Sequence, residues 1–297
     1  MKAAVMGYCL RGALPAQEQT MSGILQLAAS EGIHTVELYA GGWDVGGDIR
    51  KTSESVRQEA NHLGIDLPVM GSGTRLGHLG KEREANMAVL KQEVEACAIL
   101  GGTVMTLPIV DGQPIAPDQP KAKVGVRFER MLPELVSQLQ ELADHAAKFN
   151  VELAVLNHCF LVYLSWHQKW LSVFSERANV GACIDPGNYL HYGHQDPVGA
   201  CKELAGYAKM ARAGGVARVA DDEIKLKFKE KGDFQPWTAV LFDQGDIDQK
   251  ACYQALADGG FRGYVSLKSA GQMPDGPLAA IRHSWKALNQ TLLQVSA

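Results

Sequence analysis

Short apolar runs alternate with longer amphipathic stretches along the whole chain. Runs of a few apolar residues bounded by turn residues predict buried strands, and apolar residues that recur every three or four positions predict helices. The predicted strands are Lys2–Tyr8, Thr35–Tyr39, Leu67–Gly71, Thr103–Leu107, Val151–Leu156, Val180–Ile184, Tyr207–Ala213 and Tyr264–Leu267. The predicted helices are Met21–Glu31, Ser53–Leu63, Lys81–Leu100, Phe128–Phe149, Trp166–Arg177, Pro197–Leu204, Ile247–Asp258 and Leu278–Leu293. This strict alternation favours a single (β/α)8 barrel, an α/β fold, over an open doubly wound sheet.

One segment interrupts the alternation. Residues 216–246 carry a charge run in which acidic and basic residues are balanced. Such a run predicts a solvated loop or helix, here an insertion over the barrel mouth, and it does not suit nucleic acid. No domain boundary or internal repeat divides residues 1–297, so one barrel domain is expected.

Composition narrows the class of function. The chain is 46% hydrophobic and 21% charged, which is ordinary for a globular protein. A net charge of −4 provides no basic field for nucleic acid, and no segment approaches the roughly 20 apolar residues of a membrane span. Neither nucleic acid nor a membrane is therefore expected as a partner. The six cysteines are scattered without a Cys-x-x-Cys pair, which suits a reducing compartment and predicts a cytoplasmic location.

The candidate chemistry lies where the predicted strands end, because parallel barrels keep their active sites at the carboxyl ends of their strands. Counting with the period of two that strands impose selects residues at the ends of five strands. These are Glu37, Leu156 followed by Asn157 and His158, Asp185, Arg212 and Lys268. Lys268 ends the last predicted strand, just before a loop of small residues.

Four segments together resemble one known superfamily. They are Gly32–Tyr39, Ala146–His158, Ile184–Asn188 and Gly245–Asp248. Their order and spacing are similar to those of the xylose isomerase-like superfamily of sugar and sugar-phosphate isomerases and epimerases, to which endonuclease IV is related. The resemblance covers nearly the whole chain. It implies a (β/α)8 barrel with a divalent metal at its mouth and a small sugar-like or carbonyl substrate.

The resemblance also implies which residues would hold that metal. The family ligands are glutamates ending strands five and eight, an aspartate ending strand six and a histidine on strand seven. They fall here on Leu156, Lys268, Asp185 and the stretch beginning at Arg212, so that only Asp185 is retained. Leucine has no donor atom and arginine stays protonated. A lysine ~4 Å from a metal ion would be unfavourable by roughly 4 kcal/mol at an effective dielectric constant of about 20. The usual metal, and with it any cofactor, is therefore expected to be absent.

Both decay of an ancestral site and deliberate repurposing would produce this pattern, and we favour an engineered site whose new reactive group is Lys268. A neutral amine at Lys268 would form a Schiff base with a carbonyl substrate, as in aldol or retro-aldol cleavage. Burial against Leu156 and the nearby charge of Arg212 would disfavour the ammonium form, and pairing with Asp185 would oppose them. Asp185 or His158 would assist proton transfer. The residues expected to bind substrate are Glu37, Leu156, Arg212, Tyr8 and Trp166.

Other interpretations stay open. A Lys268–Asp185 salt bridge could close an inactive site. A displaced metal site built from Glu37, His158 and Asp185 could bind Mn, Mg, Co or Zn in a sugar isomerase or epimerase. The barrel could bind sugars without turnover, or Cys9 could act as the nucleophile of an ester hydrolase. The aromatic residues near the mouth are equally suited to packing; they are Tyr8, Trp43, Trp166 and Trp237.

Overall fold

Eight parallel strands close into a barrel, and a further strand pairs with it from outside. The computed structural model describes residues 1–39, 48–110, 122–158, 161–220 and 237–295, with backbone alone for 122–127. The strands are β1 (Lys2–Met6), β2 (Thr35–Tyr39), β3 (Asp66–Gly71), β4 (Val104–Leu107), β5 (Glu152–Leu156), β6 (Val180–Ile184), β7 (Ala208–Arg218), β8 (Trp237–Val240) and β9 (Tyr264–Ser269). The predicted strands Thr35–Tyr39 and Val180–Ile184 are confirmed residue by residue.

The order of the strands confirms the (β/α)8 barrel. Each of β1 to β6 pairs in parallel with the next along the chain, and β6 pairs with β7. The last barrel strand, β9, lies between β7 and β1, where Tyr264 pairs with Lys2. This pairing closes the cylinder, so the carboxyl ends of all eight parallel strands meet at one mouth.

Helices surround the barrel, and several of them begin at polar caps that their sequences provide. They are α1 (Gly7–Arg11), α2 (Met21–Ser30), α3 (Ile49–Leu63), α4 (Gly80–Ile99), α5 (Ala122–Ala147), α6 (Ser165–Phe174), α7 (Pro186–Asn188), α8 (Pro197–Leu204), α9 (Gln249–Asp258) and α10 (Pro277–Val295). Asp48 accepts hydrogen bonds from the first backbone N–H groups of α3, and Gly64 ends that helix with a φ of +67°. Within the described part of the chain, no helix is long and apolar enough to cross a membrane.

The barrel interior and the strand–helix interface form separate apolar layers. Side chains that face the axis include Val69, Ala154 and Met210, and they belong to one packed cluster. Residues that alternate with them, such as Leu267, face the helices and join the larger core. The alternation along β9 therefore places Ser266 and Lys268 on the axis side.

Two of the predicted boundaries that differ from the structure lie at the mouth of the barrel. β1 ends at Met6 rather than Tyr8, because the chain turns into α1 at the mouth, where the Cys9 thiol donates to the Lys268 carbonyl oxygen over 3.2 Å. The ends of the predicted charged insertion form strands rather than a loop or helix. Gly215 to Arg218 pair antiparallel with β8, which satisfies backbone groups of β7 beyond the barrel. Residues 221–236 of that insertion lie outside the described residues.

The buried helix-facing side of β9 and the exposed end of α10 permit a direct test of this architecture. Leu267 is fully buried, so Leu267→Ala is expected to lower the free energy of unfolding by about 2–5 kcal/mol. Leu293 is 73% exposed, and Leu293→Ala is expected to change it by less than about 0.5 kcal/mol. Urea denaturation followed by circular dichroism measures both. Equal effects of the two substitutions would contradict the assignment of Leu267 to the core.

Candidate active site

Lys268 and Asp185 form an ion pair at the mouth of the barrel. Lys268 lies near the end of β9, and Asp185 directly follows β6. The Lys268 ammonium donates to the Asp185 carboxylate and, over 2.9 Å, to Oδ1 of Asn188. The side chain of Lys268 is 28% exposed, whereas that of Asp185 is 2% exposed. A carboxylate buried to this extent requires a counter-charge, and the lysine supplies it. The pairing that opposes a neutral amine is therefore present.

Two asparagines hold the carboxylate of this pair in place. Asn157 Oδ1 accepts from the Asp185 backbone N–H over 3.0 Å, and Asn157 Nδ2 donates to the Asp185 carbonyl over 2.9 Å. Asn188 Nδ2 donates to the Asn157 carbonyl over 2.6 Å. Asp185 also caps α7, since its Oδ1 accepts from the Asn188 backbone N–H over 3.2 Å. The carboxylate is thus fixed by backbone and amide hydrogen bonds before any substrate arrives.

The role of Asn188 was missed by sequence reasoning, although a signal for it exists. Asp-Pro-Gly-Asn places an N-cap residue before a proline at the first helical position, which is a typical helix start. In that geometry the third residue after the cap turns back toward the capping carboxylate. The motif therefore predicts that Asn188 lies beside Asp185.

His158 lies next to this network and is neutral at ordinary pH. Burial lowers the pKa of His158 to about 4, and the positive charges of Lys268, Arg212 and Arg75 act in the same direction. The charge of Asp185 opposes them. The imidazole ring packs 5.3 Å from the ring of Tyr192, measured between centroids. A neutral imidazole can accept a hydrogen bond or a proton, and a pKa of about 4 makes His158 a weak base.

A second ion pair lies deeper in the barrel. Arg212 Nη2 donates to Glu37 Oε1 over 2.5 Å and to Thr106 Oγ1 over 3.0 Å. Arg212 is the β-ladder partner of Ser266, two residues before Lys268, so this pair lies one layer below the mouth. Burial disfavours the charged guanidinium, but the carboxylate of Glu37 outweighs it and raises the pKa of Arg212. Glu37 and Arg212 therefore contact each other rather than Lys268.

This deeper layer contains buried polar atoms that have no protein partner among the residues that the structure describes. They are Oε2 of Glu37, Nε of Arg212 and Oγ of Ser266. Buried polar atoms are nearly always hydrogen-bonded in native proteins, to water when no protein group is available. The layer beneath Lys268 can accordingly exchange hydrogen bonds with water or with a polar group of a bound molecule.

The remaining predicted binding residues occupy different positions. Leu156 ends β5 and is buried among the axis-facing residues of the barrel. Tyr8 is 67% exposed on α1. The ring contacts of Trp166 are with Phe128, His167 and Trp170 in the helical layer. Among the other aromatic candidates, Trp43 lies outside the described residues.

Cys9 does not have the properties of a nucleophile. Burial raises the pKa of the Cys9 thiol to about 12, which keeps it protonated, and the thiol donates to the Lys268 carbonyl oxygen. A reactive cysteine requires a thiolate. In this arrangement Cys9 instead joins α1 to the end of β9.

The residues at the mouth do not fit a divalent metal. In the parts of the chain that the structure covers, no group of three or more His, Cys, Asp or Glu side chains could hold a metal ion. Glu37 is paired with Arg212, and Asp185 with Lys268. The two carboxylates of the displaced site considered from the sequence are therefore already paired with cations.

Comparisons with known proteins agree on the fold. A family model described as a xylose isomerase-like TIM barrel matches residues 25–290. The chain is similar to a xylose isomerase domain protein from Planctomyces limnophilus, with 17% identity, a TM-score of 0.70 and coverage of 100% of this chain and 97% of the other. It is also similar to the 3-keto-D-glucoside 4-epimerase of E. coli, with 15% identity, a TM-score of 0.71 and coverage of 98% and 99%.

A third similar structure is described as a probable 3-DHS dehydratase from Bacillus anthracis. Its identity is 15%, its TM-score is 0.70, and the alignment covers 97% of this chain and 99% of the other. A search of curated proteins finds no match to the sequence. At these identities, the structural neighbours support the fold alone.

The buried Glu37–Arg212 pair leads to a prediction about stability. Glu37→Leu leaves an unpaired buried guanidinium and is expected to lower the free energy of unfolding by about 3–5 kcal/mol. The double variant Glu37→Leu, Arg212→Met removes both charges and is expected to regain most of that loss. Urea denaturation of Glu37→Leu, Arg212→Met, the double variant and the parent measures the coupling. If the two effects simply add, the side chains do not interact as described.

The lowered pKa of His158 leads to a prediction about pH. The unfolded chain protonates this histidine near its ordinary pKa of 6.5, whereas the folded protein does so near 4. Unfolding therefore takes up a proton between these values, and stability is expected to fall by up to roughly 3 kcal/mol as the pH drops through this range. His158→Gln should remove this part of the slope measured by urea denaturation, while the buried His167, whose pKa burial lowers to about 3, keeps its own contribution. The control His62→Gln changes an exposed residue of α3 and should leave the profile unaltered.

Proposed function

This chain belongs to the xylose isomerase-like TIM barrel family, and on that premise we propose that it is a metal-independent lyase of the aldolase or retro-aldolase type. Its substrate is a small, sugar-like carbonyl compound that forms a Schiff base with Lys268. The observation that carries the proposal is the contact of the Lys268 amine with the buried carboxylate of Asp185 at the barrel mouth. A reactive amine and a proton acceptor are thus adjacent where such barrels perform chemistry.

The ion pair provides the first proton transfer. When a carbonyl group enters the mouth, Asp185 accepts a proton from the Lys268 ammonium, and the neutral amine attacks the carbonyl carbon. The Nζ–C bond forms, and the carbonyl oxygen leaves as water. Asp185 returns its proton to the departing oxygen, so both protons lost by the ammonium leave in that water molecule. The product is a protonated imine on Lys268.

The protonated imine then withdraws electrons from the bond to be broken. The carbon–carbon bond next to the imine α-carbon cleaves once a base removes the proton of the β-hydroxyl group. The neutral imidazole of His158 can accept that proton, and its low pKa keeps it available as an acceptor above about pH 5. The bonding electrons form an enamine, which is protonated and hydrolysed to release the second product.

The surrounding residues define the proposed substrate site. Arg212 lies in the layer below Lys268, and its guanidinium together with Glu37 can bind hydroxyl groups of the substrate. Leu156 provides an apolar wall on β5, and Tyr8 provides an exposed ring on α1. Trp166 remains a predicted substrate-binding residue, and its ring packs in the helical layer. The proposed chemistry is the same whether Lys268 arose naturally or was introduced by engineering.

Structural neighbours named as an epimerase and as a probable dehydratase support a substrate of the carbonyl or sugar class. A divalent-metal sugar isomerase or epimerase is the alternative for this barrel. It would require Asp185 and Glu37 to leave their cationic partners and accept a metal ion. A non-catalytic sugar-binding barrel is the other alternative. The three functions differ in whether the protein turns over substrate and in whether a chelator abolishes that turnover.

Reductive trapping tests the proposal. Incubation with dihydroxyacetone, glyceraldehyde or D-fructose in the presence of sodium cyanoborohydride is expected to add the mass of the reduced adduct to one lysine, which peptide mapping assigns to Lys268. Lys268→Met is expected to abolish the adduct and to lower kcat by at least about 100-fold, because the covalent step is lost. Lys286, which lies on α10, serves as the internal comparison for nonspecific modification.

Chelation distinguishes the alternatives. Dialysis against a chelator is expected to leave both trapping and turnover unchanged. Turnover that disappears on dialysis and returns with Mn, Mg, Co or Zn, without any adduct on Lys268, would establish the metal-dependent isomerase instead. Stabilisation by a sugar without turnover or adduct would indicate a binding protein.

A further inference from the structure

An aromatic ring lines the mouth of the barrel at the end of β2. Glu37 of this strand faces the barrel axis, where it contacts Arg212. Tyr39 lies two residues further along the strand and therefore faces the axis as well. It is the last residue of β2, and its side chain is half-buried. The ring of Tyr39 thus belongs to the open end of the barrel, on the mouth side of the Glu37–Arg212 pair.

A glycine on the neighbouring strand provides the space for this ring. Tyr39 pairs with Gly71 of β3 in the sheet. A Cβ atom on Gly71 would lie 2.6 Å from Cδ2 of Tyr39 and 3.3 Å from Oγ1 of Thr106. The ring therefore lies against the backbone of β3, in space that a side chain at position 71 would fill. Its position is set by the sheet itself.

Tyr39 also borders the deeper polar layer. The Thr106 hydroxyl, which is beside the ring, accepts from Arg212 Nη2 over 3.0 Å. Within the part of the chain that the structure describes, the Tyr39 hydroxyl itself has no hydrogen-bond partner. A half-buried phenol of this kind offers a bound molecule both an apolar face and an unused hydrogen-bond donor.

The register of the barrel places this ring across the mouth from the reactive amine. β1 lies between β2 and β9, and along these three strands Lys268 is level with Glu37, whereas Tyr39 is two residues nearer to the mouth. The Lys268 amine contacts Asp185, which follows β6 on the opposite side of the cylinder from β2. A molecule at the amine therefore has the ion pair on one side and the Tyr39 ring on the other.

We propose that Tyr39 contacts the substrate on the side opposite Lys268: its ring packs against the C–H face of the carbon chain, and its hydroxyl donates to a substrate oxygen. This proposal rests on the proposed function and adds a specificity-determining residue to that site. Glu37 and Asp185 are held in ion pairs, whereas Tyr39 keeps a ring face and a donor for the substrate. Aromatic side chains that combine with a few fixed polar groups are typical of small-molecule sites.

Reductive trapping at increasing concentrations of D-fructose tests the assignment. Tyr39→Phe loses only the hydroxyl and is expected to raise the half-saturating concentration roughly 2- to 10-fold, the range for one hydrogen bond. Tyr39→Ala also loses the ring and is expected to raise this concentration roughly 10-fold or more. The limiting rate at saturation should change little in either variant, because the contact is made equally before and during the reaction.

A matched control removes a hydroxyl from the other end of the barrel. Tyr264 begins β9 and packs against the axis-facing cluster, so Tyr264→Phe should leave the half-saturating concentration unaltered. Unchanged half-saturating concentrations in both Tyr39 variants would overturn the assignment. A lower limiting rate without a change in half-saturation would also overturn it, because Tyr39 would then only support the architecture of the mouth.

Calorimetric titration of Lys268→Met with D-fructose separates this proposal from the lyase chemistry, because no imine can form in that variant. If trapping of the parent fails but Tyr39→Ala weakens D-fructose binding to Lys268→Met, the role of Tyr39 stands and the Schiff-base mechanism is wrong. If trapping succeeds and the Tyr39 variants match the parent, the mechanism stands and the role of Tyr39 is wrong. Failure of both trapping and binding would overturn both proposals.

Discussion

The arrangement of the barrel mouth depends on the contact between the Lys268 ammonium and the buried carboxylate of Asp185. A carboxylate that is 2% exposed is costly to ionise unless a cation and hydrogen-bond donors surround it. Here the cation is a side chain of the protein itself. Lys268 falls at the position where the family resemblance implies a metal ligand, and its own side chain supplies the positive charge next to Asp185. The neighbouring hydrogen-bond donors are committed to that contact.

Two ion pairs lie above each other within a largely apolar barrel. The Glu37–Arg212 pair forms the deeper layer, and the Lys268–Asp185 pair forms the mouth. The interior below them is filled by residues such as Val69, Ala154 and Met210. Because each charge has a partner, the polar layers are compatible with a packed core. Burial, with the nearby cations acting in the same direction, lowers the pKa of His158 and keeps its imidazole neutral.

The same principle extends to the loop Ser72–His78, which follows β3. Glu93 of α4 accepts a hydrogen bond from the Gly73 N–H of this loop, and Gln138 of α5 accepts one from the Gly77 N–H. The helical layer, which packs the barrel, thus also fixes the backbone of this loop.

The amino-acid sequence determined the alternation of strands and helices, because hydrophobic periodicity and cap residues are local properties. It also indicated Lys268, Asp185, Glu37 and Arg212, because the strand period and the family resemblance select residues at strand ends. The tertiary structure alone decided their pairing. Glu37 and Arg212 are 175 positions apart, and Lys268 and Asp185 are 83 apart, so that closure of the barrel brings each pair together. The end of β1 and the strands of the charged segment were likewise decided by contacts at the mouth, which local periodicity does not contain.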